Sequence, residues 1–287
     1  MAQTLVIRYD NLNINDIIIT APKLNPKTKQ MTAGIISAKT KRALYIETPL
    51  LNAQFGVSSY NPTKDQPNPD ESKTTYSLPL STSYRPNDSN VDETEEIRGQ
   101  KMLFEEVLKP LDEKMIQFAV DHSQELFKKK CSKEVVEMLY TRAVKPNVKE
   151  DEVYPDRINV KLMKNDAGNG PDSSIKFFKT GAEEVVVDSW DALKELIPAK
   201  SQIRAILQPR VYFIAGKFGI NFKMIQLKVP NVTKIGRPVS YAFSDEPDEV
   251  NTSTTTNARI TNNAANDSDY EDVDCDNDDE SSPSANA

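Results

Sequence analysis

Gln202-Ile-Arg-Ala-Ile-Leu-Gln-Pro-Arg-Val-Tyr-Phe-Ile-Ala-Gly-Lys-Phe-Gly-Ile-Asn-Phe-Lys-Met-Ile-Gln-Leu-Lys-Val229 is the stretch on which the fold turns. Successive side chains of a strand point to opposite faces, and three strands can be read here: Gln202 to Gln208, Arg210 to Ala215 and Ile220 to Val229. In the first, Ile203, Ala205 and Leu207 share one face and Arg204 takes the other. In the second, Val211, Phe213 and Ala215 read as core, with Arg210 and Tyr212 towards solvent. The third begins with Ile220, Phe222 and Met224 inward and Asn221 and Lys223 outward. It then changes, because Ile225, Leu227 and Val229 become the apolar set, opposed by Gln226 and Lys228. A register flip between Met224 and Ile225 is what one extra residue, a β-bulge, produces. Bulges bend strands and recur in small barrels, so the stretch predicts a curved β body with Phe222 in its core. Gly216-Lys-Phe-Gly219 reads as a tight hairpin tip presenting Lys217 and Phe218, because its two glycines accept positive φ.

Working outward, β-branched runs at Thr4 to Tyr9, Asp16 to Thr20, Gly34 to Ala38, Ala43 to Glu47 and Thr74 to Leu80 read as further strands. Asn61 to Ser72, with three prolines, reads as an exposed loop. The period then lengthens: Phe104, Val107, Leu108, Leu111, Met115, Phe118 and Ala119 recur at three- and four-residue steps, which predicts an amphipathic helix that Pro110 kinks or restarts. A second helix is expected from an N-cap at Ser132 through Leu139, ending before Pro146. Asn159 to Met163 and Glu184 to Val187 read as strands, and Trp190 to Leu196 as a short helix. The expected architecture is mainly β (α+β): a body over residues 1–244 with a helical insertion at about 95–141, and a disordered acidic tail over 245–287.

The formal net charge of the chain is −7. From Asp245 onward there are thirteen acids and one base, Arg259, so the tail carries −12 and the body +5. A basic body beside an acidic tail points to a polyanionic partner with the tail as electrostatic competitor. Between Glu195 and Asp245 there is no acidic residue, while Lys200, Arg204, Arg210, Lys217, Lys223, Lys228, Lys234 and Arg237 supply positive charge. Tyr212, Phe213, Phe218, Phe222, Tyr241 and Phe243 are interleaved. Binding a single strand calls for this combination, since cations track phosphates and ring faces stack on splayed bases. An acid-poor run is also what an ordinary solvated strand pair looks like. The candidate nucleic-acid-binding residues are Arg204, Arg210, Tyr212, Lys217, Phe218, Lys223 and Lys228.

Catalytic and metal readings find little support in the residues. His122 is the sole histidine and falls in a helical segment, and with Cys131 and Cys275 it makes no zinc spacing. Asp272-Val-Asp-Cys-Asp276 starts like a calcium loop, but Asn277 and Pro283 stand where glycine and a bidentate glutamate belong. Lys128, Lys129 and Lys130 read as complements to a helix dipole. No cofactor is expected. Two cysteines make no disulfide framework, Met1 to Asp10 carries no leader pattern, and no stretch approaches the roughly 20 apolar residues of a membrane span, so a soluble intracellular protein is expected.

Three blocks carry a family resemblance: Glu134-Val-Val-Glu-Met-Leu-Tyr-Thr-Arg-Ala-Val-Lys-Pro146, Tyr154-Pro-Asp-Arg-Ile-Asn-Val-Lys161, and Arg204 through Lys223 running on to Val229. Over about residues 100–230 the chain resembles a protein family of nucleocytoplasmic large DNA viruses that is likened to the single-stranded-DNA-binding proteins of tailed phages. The resemblance implies an oligonucleotide-binding β-barrel (OB-fold) and single-stranded DNA binding in viral replication, repair or recombination. It further implies replication partners recruited by the acidic tail, and a location in host cytoplasm, viral factory, nucleus or virion. Phage tails of this kind end in an aromatic residue, whereas this tail holds Tyr270 alone. From a different class, the charge pattern also suits a structural or assembly protein whose tail binds basic partners. The oligomeric state stays open, with a homodimer among the options.

Overall fold

The computed structural model describes residues 6–24, 26, 31–86, 93–149, 152–180, 183–214 and 216–230, all within the unit Met1–Lys234. The expected tail, and with it Tyr241, Phe243, Lys234 and Arg237, lies outside the described residues. In chain order the strands are β1 (Val6–Arg8), β2 (Ile17–Ile19), β3 (Lys23–Leu24), β4 (Met31–Thr32), β5 (Ile35–Ser37), β6 (Tyr45–Glu47), β7 (Leu51–Ala53), β8 (Ser58–Tyr60) and β9 (Thr75–Ser81). They continue as β10 (Tyr140–Thr141), β11 (Val144–Lys149), β12 (Glu152–Leu162), β13 (Lys176–Phe178), β14 (Glu184–Val185), β15 (Ser201–Ile214) and β16 (Lys217–Lys228). The helices are α1 (Glu95–Lys101), α2 (Lys109–Asp121), α3 (Ser123–Phe127), α4 (Lys133–Leu139) and α5 (Trp190–Leu196).

Five of these strands close a barrel. β7 runs antiparallel to β9, β9 to β12, β15 to β16 and β15 to β7, while β12 and β16 are parallel. In chain order the closed circuit is first, second, third, fifth, fourth and back to the first, the connectivity of the oligonucleotide-binding barrel. Alternation fills the interior: Leu51, Leu78, Leu80, Ile158, Val160, Ile203, Ala205, Leu207, Phe222, Met224 and Leu227 are all buried. Each of these side chains except Ala205 contributes about 1.5–3 kcal/mol of burial. Between the third and fourth barrel strands lies α5, N-capped by Ser189, whose side chain accepts from the Ala192 N–H. Its Trp190 stacks on Tyr76 of β9 at 3.6 Å between centroids, and Leu193 and Leu196 are buried.

The hairpin differs from its sequence reading in three ways. The first two expected strands are one, because β15 runs through Pro209. From Gln208 on, β15 pairs with β16 alone, so a missing N–H is tolerated on its open edge. The tip also moves: Ile214 pairs with Lys217, which leaves Ala215, outside the described residues, and Gly216 as the connection. Gly216 takes φ +78, as the turn demands. Thirdly, Phe218 is not presented at a tip but fully buried, against Phe127 of α3 and Tyr140 of β10. The bulge falls where the alternation put it, since Ile206 faces Gln226 and Leu207 faces Met224, leaving Ile225 as the extra residue.

Helices fill the connection between β9 and β12. The turn between α1 and α2, Met102–Leu108, is wound as π-helix, and Pro110, which has no N–H to give, falls in the first turn of α2. Leu103, Phe104, Val107, Leu108, Leu111, Met115, Ile116 and Ala119 form its buried stripe. Asp112 is buried beneath it and accepts from the Tyr140 hydroxyl at 2.5 Å and from the Ala143 and Val144 N–H groups at 2.9 and 3.2 Å. It thereby holds α2 to the chain entering β11, a strand that contains Pro146 and that the sequence reading left as helix end and loop. β7 and β8 were likewise not anticipated, and β12 begins seven residues earlier than expected.

Candidate nucleic-acid interface

The outer face of the barrel follows from the same alternation that fills its inside. On β15 and β16 the outward partners are Arg204 with Lys228, Gln208 with Lys223, Arg210 with Asn221, Tyr212 with Gly219, and Ile214 with Lys217. Six of the seven candidate residues therefore share one face of the hairpin, and Phe218 is the exception. Arg204 lies 3.7 Å from Glu47, and the Arg210 Nε donates to Gln208 Oε1. Lys223 is 3.7 Å from Asp172. The Ser174 backbone N–H and hydroxyl hold the Asp172 carboxyl below its ordinary value, so it stays ionised beside this lysine. Tyr212 is half-buried: its ring lies over Gly219, where a Cβ would come within 2.8 Å of the phenol oxygen and 2.6 Å of the Thr141 carbonyl. Only glycine leaves room for that ring.

One strand further round, β12 directs Ile158, Val160 and Leu162 inward, and Arg157, Asn159 and Lys161 outward. Opposite them on β9 stand Ser81, Pro79 and Ser77. The two tracts join, because Lys161 of β12 is the register partner of Lys223 of β16. Two more cation pairs share this outer surface: Lys145 of β11 faces Arg157, and Arg204 faces Lys228. Like charges placed directly opposite on a sheet destabilise it, by roughly 0.2–1 kcal/mol a pair. Glu47 and Asp172, each at 3.7 Å, offset part of this at Arg204 and Lys223, and an anion laid along the surface would offset the rest.

Aromatic side chains border this cationic row. Tyr60 pairs with Thr75 at the end of β9, on the face of Ser77 and Pro79, and is 69% exposed. Phe55, in the turn between β7 and β8, is 60% exposed. Tyr154 of β12 carries the Arg85 guanidinium 5.5 Å from its ring centroid. The turn that holds Phe55 also opens the surface. β7 pairs with β9 at Ser81 and β8 pairs with it from Thr75 to Ser77, so Pro79 sits in the gap between them, where no N–H is called for. Over that gap is a cavity of about 570 Å³, lined among others by Phe55, Pro79, Tyr154 and Arg157.

Sequence reasoning missed Phe55, Tyr60, Lys145, Tyr154, Arg157 and Lys161. The signal for Arg157 and Lys161 was present in the strict alternation from Arg157 to Leu162, but a strand read as starting at Asn159 cut it short. Phe55 stands in a turn and Tyr60 in a three-residue strand, and neither carries a periodic signal.

Among solved structures the chain is similar to the single-stranded DNA-binding protein from bacteriophage Enc34 in a C-terminal truncation, at 13% identity and TM-score 0.36, covering 78% of this chain and 98% of that one. It is similar to the same phage protein in complex with single-stranded DNA, at 12% identity and TM-score 0.35, covering 74% and 94%. It is also similar to gp2.5, a single-stranded DNA-binding protein encoded by bacteriophage T7, at 10% identity and TM-score 0.33, covering 73% and 98%. No family model and no curated protein matches the chain.

Proposed function

We propose that the outer barrel face binds single-stranded DNA without strong sequence preference, as a binding protein and not an enzyme. The observation that carries this reading is the row of three cross-strand cation pairs, Lys145–Arg157, Lys161–Lys223 and Arg204–Lys228, bordered by exposed Phe55 and Tyr60. Phosphates would neutralise the pairs while bases stack on the rings, each stack contributing about 1–3 kcal/mol. Barrels of this connectivity bind oligonucleotides on the face of their second and third strands, which here are β9 and β12. The hairpin residues Arg204, Arg210, Lys217, Lys223 and Lys228 extend that face as phosphate contacts, and Tyr212 serves as packing over Gly219. The resemblance to the large-DNA-virus family supports a role in viral replication, repair or recombination, inside the host cell or virion, with replication proteins met through the acidic tail.

The test is filter binding with single-stranded DNA, duplex DNA and RNA over a range of salt. Affinity should be highest for the single strand, with log K falling by about 0.7 per phosphate contacted for each unit of log salt. Equal affinity for duplex, or salt-independent binding, overturns the proposal. Absence of nucleic-acid binding together with capture of basic proteins by residues 245–287 would favour the structural or assembly reading.

A further inference from the structure

The cavity between β7, β9 and β12 differs in kind from the open cationic row beside it. Four rings, Phe55, Pro79, Tyr154 and Pro155, line it beside amide and hydroxyl side chains. Arg85 backs one face of Tyr154, so that ring offers its other face. A volume of about 570 Å³ is in the range of small-ligand sites. On this lining lies one orphan donor. The Nε of Arg157 is buried and has no hydrogen-bond partner among the described residues. Buried polar groups without partners are rare, and each invites an acceptor. Gln54 and Asn147, also on the lining, make no side-chain hydrogen bond among the described residues. At the rim the Ser83 hydroxyl is 3.1 Å from Glu96 Oε1, a carboxylate that would repel a phosphate entering here.

We infer that this cavity is a base pocket that takes one purine of the bound strand and prefers guanine to adenine. This rests on the single-strand reading above. Rings stack with either purine alike, so the stacking walls do not discriminate. The orphan Arg157 donor does. Guanine presents two acceptors, N7 and O6, on the edge where adenine presents N7 beside the N6 amino group. The Nε–H and an adjacent Nη–H of one guanidinium are both accepted by guanine, at N7 and O6, whereas in adenine the second of them meets the N6 amino group, and Gln54 and Asn147 can turn either end of their amides to the remaining base edge.

The experiment uses the full chain and short oligothymidylates carrying a single central guanine, adenine or hypoxanthine, in competition measured by fluorescence anisotropy. Hypoxanthine keeps O6 and N7 and lacks only the guanine 2-amino group. Guanine and hypoxanthine should both bind about tenfold tighter than adenine, the discrimination expected of a good arginine–guanine contact. In Arg157→Lys, which keeps the positive charge and removes Nε, the ratio should fall to within about twofold, whatever happens to overall affinity. The wild-type comparison of three bases stands even where that variant fails to fold. Binding with no difference between guanine and adenine overturns the pocket and leaves the groove intact. A preference that survives in folded Arg157→Lys overturns the role of Arg157. Failure to bind any of the oligonucleotides overturns the single-strand reading itself.

Discussion

Replacing Lys161 with Glu should stabilise the fold and weaken DNA binding at once, two effects that a damaged structure would not produce together. Lys161 is exposed and directly opposite Lys223 on the parallel β12–β16 ladder. Directly opposed side chains have Cβ atoms about 4.5–5.5 Å apart, and two ammonium groups brought equally close would repel by roughly 0.8 kcal/mol in water, an upper limit for flexible lysines. Salt screens this with a length of about 8 Å at physiological ionic strength, and Asp172, 3.7 Å from Lys223, already offsets part of it. Reversing one charge should therefore gain about 0.5–1 kcal/mol, which in a body of this size raises Tm by roughly 1–4 °C. In binding, one phosphate contact is worth a salt slope of about 0.7. At about 0.1 M salt that contact amounts to about 0.7 log unit, so affinity should fall at least about fivefold and the slope should flatten by about 0.7. Circular dichroism melts and anisotropy titrations at several salt concentrations read both quantities. If Tm falls together with affinity, Lys161 is a structural residue. If Tm rises while affinity and slope stay put, phosphates do not pass over the Lys161–Lys223 pair and the proposed path is wrong.

Phe55→Ala, at an exposed ring, should leave Tm within about 1 °C and weaken single-strand binding by about 1–3 kcal/mol; unchanged affinity by anisotropy removes Phe55 from the interface. Phe222→Ala should cost about 3–5 kcal/mol of stability in urea unfolding, whereas a loss under about 1 kcal/mol would put that ring outside the barrel. Asp112→Ala strands the Tyr140 hydroxyl and two N–H groups and should cost about 3–5 kcal/mol. Asp112→Asn adds a test by pH. Burial raises the Asp112 carboxyl above its ordinary 3.8 against the pull of its hydrogen bonds. The folded state then binds the proton more tightly than the unfolded one, so the wild type should gain on Asp112→Asn as pH falls towards 3.8, and the reverse trend in urea midpoints refutes the burial argument. Removing residues 245–287, which carry −12, should raise single-strand affinity, most at low salt, because a tethered anion competes for the same cations; unchanged low-salt affinity leaves the tail without that role.

What the sequence alone determined was local. The two-residue period of Ile203 to Leu207 and of Ile220 to Val229 assigned inward and outward side chains, and the break in that period located the bulge at Ile225, because one inserted residue inverts every side chain beyond it. The three-to-four-residue steps from Phe104 to Ala119 marked the helix for the same kind of reason, and Trp190 to Leu196 read as the short helix that is α5. Tertiary structure decided everything that depends on a neighbour distant in the chain. Phe218 and Tyr212 carry no sequence label telling core from surface; Phe127, Tyr140 and the bare Cα of Gly219 made that choice. Pro209 and Pro79 lie inside strands because each faces a place where no ladder bond is required, and such a gap exists only once the barrel has closed. Nor does charge counting reveal that Lys161 would stand beside Lys223 or Lys145 beside Arg157. An acid-free run records how many cations a segment holds, whereas register across strands fixes which of them are forced together, and it is that proximity which makes an anion favourable there.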